Sequence, residues 1–75
     1  MKTYLQIWYN SNGDCSPPSE VNSRLTSLGF NPIRGPYDYV YEWEKNAVID
    51  DVLRLGDKTH LTLAGTGVLF KIETD

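Results

Sequence analysis

From Gly35 to Glu44 the chain reads Gly-Pro-Tyr-Asp-Tyr-Val-Tyr-Glu-Trp-Glu, so an aromatic ring recurs at every second residue through Tyr37, Tyr39, Tyr41 and Trp43. A period of two belongs to a β-strand, whose side chains alternate between faces. The spacing predicts the four rings on one face and Asp38, Val40, Glu42 and Glu44 on the other. Burying three unpaired carboxylates is far costlier than burying phenol rings, whose hydroxyls can reach a polar neighbour. The ring side is therefore expected to form the floor of the core. A sheet covered on one face only is the simplest arrangement that accepts such a strand.

The rest of the chain supplies elements to cover it. Tyr4-Leu5-Gln6-Ile7-Trp8-Tyr9 reads as a first strand with Leu5, Ile7 and Tyr9 on one side and Tyr4, Gln6 and Trp8 on the other. The polar run Asn10 to Ser16 is a loop, after which Ser16 as cap, Pro at the first helical position and Glu20 near the positive dipole end predict a helix over 17–28. Val21, Leu25 and Leu28 form its apolar stripe and Gly29 its stop. Phe30 to Arg34 is a weak strand, and Pro32, which cannot donate to a ladder, assigns it to a sheet edge. Gly35-Pro36 makes the turn into the aromatic strand.

Asn46 is placed to cap a second helix over 47–64, with Asp50 and Asp51 in its first turn and Gly65 as its stop. Ile49, Val52, Leu53, Gly56, His60 and Leu63 share one face at about 100° per residue, leaving Leu55 and Leu61 off the stripe. Gly56 is expected to let a tyrosine ring approach the helix backbone, and His60 to be a core histidine bonded to a tyrosine hydroxyl or a carbonyl. Thr59 to Leu63 also alternates, so a hairpin with the last strand stays open as an alternative. Val68 to Glu73 closes the chain as a strand with Val68, Phe70 and Ile72 inward.

The order strand, helix, strand, strand, helix, strand predicts an α+β, ferredoxin-like βαββαβ sandwich, a four-stranded antiparallel sheet with both helices on one face. At 75 residues this is one domain, 1–75, whose large apolar side chains are mostly consumed by a single modest core. The first and third strands, which carry most of the aromatics, are expected at its centre.

Several functional classes fall away. A formal charge of −3 gives no electrostatic footprint for nucleic acid or an anionic membrane, and no apolar run reaches the roughly 18 residues of a spanning helix. Without a hydrophobic leader-like segment the chain is expected in the cytoplasm. The single Cys15 excludes an internal disulfide, and Cys15 and His60 are too few for a structural zinc site. Phosphate-cradling glycine motifs and Cys-x-x-Cys pairs are missing, so no cofactor, metal site or catalytic residue is assigned. A small-molecule ligand cannot be specified. Cys15 near a helix start is the most distant alternative, a thiol-dependent enzyme. Against it, Val21 stands where a phosphatase loop needs its arginine, and an incidental surface cysteine is the simpler reading.

Arg34-Gly35-Pro36-Tyr37-Asp38-Tyr39-Val40 loosely resembles the RNP1 strand of the RNA-recognition motif. The resemblance implies single-stranded RNA stacked on rings of the open sheet face. Pro36 interrupts the pattern, Glu42 occupies an apolar place, and Gln6 stands where the companion strand carries an aromatic. This makes RNA the alternative and a protein partner, or a second copy of the chain, the leading expectation.

The surface left for it is the reverse of the sheet. Tyr4, Gln6, Trp8, Val40, Leu69 and Lys71 are expected there, flanked by Asp38, Glu42, Glu44 and Glu73. Exposed aromatics rimmed by charge mark association surfaces, although Lys and Glu stems can cover such a face without any partner. The expectation is a small acidic interaction module, not an enzyme, gripping through Tyr4, Trp8 and Leu69.

Overall fold

The computed structural model describes residues 1–10, 15–44 and 46–75. Its elements are β1 (Lys2–Trp8), α1 (Pro18–Leu28), β2 (Asn31–Pro32), β3 (Tyr39–Glu42), α2 (Ile49–Leu63) and β4 (Leu69–Thr74). The strands form one antiparallel sheet in the order β2-β3-β1-β4. Residues 59–63 are helical, which removes the hairpin alternative. Pro32 lies in the two-residue edge strand β2, where its missing N–H breaks no ladder.

Alternation along β1 follows the sequence pattern. Thr3, Leu5 and Ile7 are buried toward the helices while Tyr4 and Gln6 are half-buried and Trp8 exposed on the reverse. Leu5 and Ile7 join Val21 and Leu25 of α1, Phe30, Tyr39, and Leu55 and Leu63 of α2 in one core, with Leu28, Tyr41, Trp43, Val68, Phe70 and Ile72 packed against it. Tyr9, expected inward, lies past the end of β1 and is exposed.

Helix α1 starts differently from expectation. Ser16 does not cap it; its N–H bonds Thr66 O at 2.8 Å. Pro17 is the cap residue, already extended at φ −58° and ψ 147°, and its carbonyl receives the N–H groups of Glu20 and Val21. At the other end Gly29 takes φ 116°, Phe30 N–H returns to Leu25 O and Gly29 N–H to Thr26 O. This is the Schellman pattern, and burial of both Leu25 and Phe30 supplies its apolar contact. A Cβ on Gly29 would lie 2.8 Å from Tyr41 Cε2, whereas one on Gly56 would meet nothing within 4 Å. The glycine that admits a tyrosine ring is thus Gly29, not Gly56.

Helix α2 also departs from expectation. Asn46 does not cap it; the cap residue is Val48, whose N–H is held by the Asp51 carboxylate at 3.2 Å. The buried side is Leu55, Thr59 and Leu63, with Val52 beside them, while Ile49 (70% exposed), Leu53 (59%) and His60 face out. The stripe is rotated from the expected one because Thr59 belongs to it. Its hydroxyl bonds Leu55 O at 2.8 Å, so the residue is buried without an unsatisfied polar group. His60 is therefore no core histidine, and Tyr39 hydroxyl bonds Asn22 Oδ1 at 3.0 Å instead. The chain leaves α2 through Ala64, and Thr66 Oγ1 donates to Leu63 O at 2.6 Å.

Candidate functional site

The reverse of the sheet is laid out by the register of β1 with its two neighbours. Trp8 stands opposite Leu69, Gln6 opposite Lys71 and Tyr4 opposite Glu73, with Val40 across from Tyr4 on the other side. The structure thus brings together the residues that alternation placed on this face, but their accessibility is unequal. Trp8 is 46% and Leu69 72% exposed, forming an apolar pair at one end together with Tyr9. Val40 is buried on the reverse side, between neighbouring strands and outside the helix-side core, so it backs this surface and offers little area of its own.

The other end of the face holds a residue the sequence placed in the core. Tyr39 is the register partner of Leu5, yet Asp38 N–H also bonds Leu5 O at 2.9 Å, so two residues of the third segment face one of β1. That is a β-bulge, which resets the alternation. The Asp38 carboxylate fills the gap by accepting the Ile7 N–H at 2.7 Å. Asp38 consequently serves the backbone and does not lend free charge to the face. Tyr37, beyond the bulge, packs its ring on Tyr4 with centroids 5.1 Å apart.

Tyr37 hydroxyl donates to Glu73, and Lys71 Nζ pairs with the same carboxylate at 2.8 Å. The Lys71 bond, then the Tyr37 bond, holds the Glu73 carboxyl below its ordinary range. Reciprocally, the Glu73 bond raises Lys71 and Tyr37 above theirs. Lys71 and Glu73 are exposed and Tyr37 is half-buried against Tyr4, so solvent screens the charges and this network orders side chains while adding little to stability. Lys2 and Glu42 form a further exposed pair at 3.6 Å. The face is therefore apolar at the Trp8 end and charge-paired at the Tyr37 end.

The RNP1-like stretch is divided by the bulge, with Tyr37 on the open face and Tyr39 in the core. Trp43 is half-buried on the helix side, its Nε1 donating to Thr3 Oγ1 at 2.9 Å and its ring edge-on to Tyr41 at 4.8 Å. A cleft of about 910 Å³ beside it is lined by Tyr41, Trp43, Glu42, Glu44 and Asp51. Asp51 there is already engaged with Val48 N–H and with Arg54 at 3.6 Å.

Cys15 is not on a helix N-terminus, since Ser16 and Pro17 separate it from α1. Its sulfur accepts the Asn10 N–H at 2.9 Å and the thiol lies 3.4 Å from Gly67 O, tying the end of β1 to the approach of β4. Asn12 and Gly13, considered as anion donors beside it, lie outside the described residues. Among the described residues no group of three or more His, Cys, Asp or Glu side chains converges as a metal site requires, and no helix is long and apolar enough to cross a membrane. No family model, curated protein or solved structure matches the chain.

Proposed function

We propose that the chain is a small cytoplasmic binding module of ferredoxin-like type that holds a protein partner on the open face of its sheet. The strand order β2-β3-β1-β4 supports the ferredoxin-like reading, because it keeps β1 and β3 central and joins β1 to β2 through α1 and β3 to β4 through α2. The observation that carries the function is the Trp8–Leu69 pair: two large apolar side chains directly opposed across a ladder and both open to solvent. Gln6 and Lys71 next to them, and the Tyr4–Tyr37–Glu73 cluster beyond, supply a polar rim. A free thiol suits a reducing compartment. The net charge of −3 favours a basic partner.

The test is capture on the immobilised chain followed by titration of the purified partner. Trp8→Ala and Leu69→Ser should each abolish binding, and Leu61→Ser, on the helix side, should leave it intact. Binding that tolerates both sheet-face changes defeats the proposal. Single-stranded RNA that shifts the β1 resonances, with affinity falling steeply as salt rises, would favour the RNA alternative instead.

A further inference from the structure

The two edges of the sheet are built differently. β2 is two residues long and contains Pro32, a combination that blocks further strand pairing. β4 is six residues long, has no proline, and among the described residues no strand lies beyond it. Asp75 N–H bonds Lys2 O at 3.1 Å, and the register runs without interruption from Thr3 opposite Thr74 to Trp8 opposite Leu69. In an antiparallel ladder hydrogen-bonded pairs alternate, so the backbone groups of Leu69, Lys71 and Glu73 turn toward β1. Those of Phe70, Ile72 and Thr74 turn outward at the free edge.

We propose that this edge pairs antiparallel with β4 of a second copy of the chain, about a two-fold axis at Ile72. Charge selects the register. With Ile72 opposite itself, Lys71 stands across from the partner's Glu73 and Glu73 across from the partner's Lys71, while Phe70 meets the partner's Thr74. Moving the axis one residue either way sets Lys71 against the partner's Lys71, or Glu73 against the partner's Glu73. Like charges directly opposed across strands are destabilising, so these registers are disfavoured. The chosen register also gives every outward N–H and C=O of Phe70, Ile72 and Thr74 a partner, as an isologous interface requires.

The helix layer fits the same axis. Helix α1 touches β2 and lies on the far side of α2, where Leu28 meets Leu55 and Lys58 in one cleft. The opposite flank of α2, with exposed Ile49 and Leu53, is therefore on the β4 side. Below it Phe70 and Ile72 are only half-buried in the isolated chain. A second copy would cover this side, and the paired sheets would run continuously through both chains. Lys71 and Glu73 border both this edge and the open face, whereas Trp8 belongs to the open face alone, so Trp8→Ala disables that face without touching the edge.

Sedimentation equilibrium over about micromolar to millimolar concentration tests the pairing. The wild-type chain should reach a dimer, and Lys71→Glu or Glu73→Lys alone should weaken it about ten- to a hundredfold, since each reverses two symmetry-related pairs. The double variant Lys71→Glu/Glu73→Lys should restore it, and Trp8→Ala should leave it unchanged. A chain monomeric throughout, a dimer indifferent to the single reversals, or one lost with Trp8→Ala overturns the proposal. If a single variant does not fold, amide exchange of the wild type decides. Phe70, Ile72 and Thr74 should slow as concentration rises, and concentration-independent exchange there refutes the edge pairing.

Discussion

Replacing Gly29 by alanine isolates two terms that the structure holds at one residue. Its φ of 116° lies in the region that L-residues avoid, at a cost of about 1–2 kcal/mol. The added methyl would also stand 2.8 Å from Tyr41 Cε2. That ring cannot yield freely, because Phe30 and Trp43 pack against it with centroids at 5.6 and 4.8 Å. Forcing such a ring aside costs about 1–3 kcal/mol. The stiffer unfolded chain returns roughly 0.4–1 kcal/mol. The net loss is about 1–5 kcal/mol, centred on roughly 3, a fall in melting temperature on the order of 10–20 °C for a domain of this size.

Two companion variants separate the terms. Gly35 has φ 123° and nothing within 4 Å of a built Cβ, so Gly35→Ala carries the backbone strain alone and should cost about 1 kcal/mol. Gly56 lies inside α2 without a close neighbour, so Gly56→Ala should stabilise by about 0.5–1 kcal/mol. Urea unfolding followed by circular dichroism measures all three. A Gly29→Ala protein no less stable than Gly35→Ala would refute the ring contact, and a destabilising Gly56→Ala would refute the assignment of open space beside α2.

The rotation of α2 makes a second contrast: Leu55→Ala should cost about 2–5 kcal/mol and Leu53→Ala under about 0.5 kcal/mol in the same unfolding assay. For the exposed network, carbon-detected titration should place the Glu73 midpoint below that of an ordinary glutamate, and Tyr37→Phe should move it upward. Because the folded-state value is depressed, any stabilisation from Glu73 is present above the ordinary carboxylate range and lost as pH falls through the lowered midpoint. Tyr37 has the opposite sign: its raised value means that its contribution holds below the ordinary phenol range and fades as pH rises through the raised one.

What the sequence made legible was whatever rests on local backbone rules. Pro32 belongs on an edge because it lacks a donor, Gly29 ends a helix because it accepts a positive φ, and β1 alternates because strands do. The failures needed contacts distant in sequence. Whether Tyr37 continues the ring row depends on a bulge held by Leu5 O and Ile7 N–H, on another strand. Which side of α2 turns inward depends on Thr59, which hydropathy counts as polar but whose hydroxyl is satisfied within its own helix turn. The apolar residues of α2 lie on several sides, so periodicity alone left its rotation undetermined. Of the open face, Trp8, Leu69, Gln6 and Lys71 were readable from alternation, while Tyr37 was not.

The facing of the sheet sets Trp8 on an open surface and packs Trp43 against the core on the helix side. Acrylamide quenching of the single-tryptophan proteins Trp43→Phe and Trp8→Phe reads that facing directly. The emission of Trp8 should be quenched severalfold more strongly than that of Trp43, which is held by Thr3 and Tyr41. Equal quenching, or a more accessible Trp43, would contradict the assignment of the open face and with it the proposed binding surface.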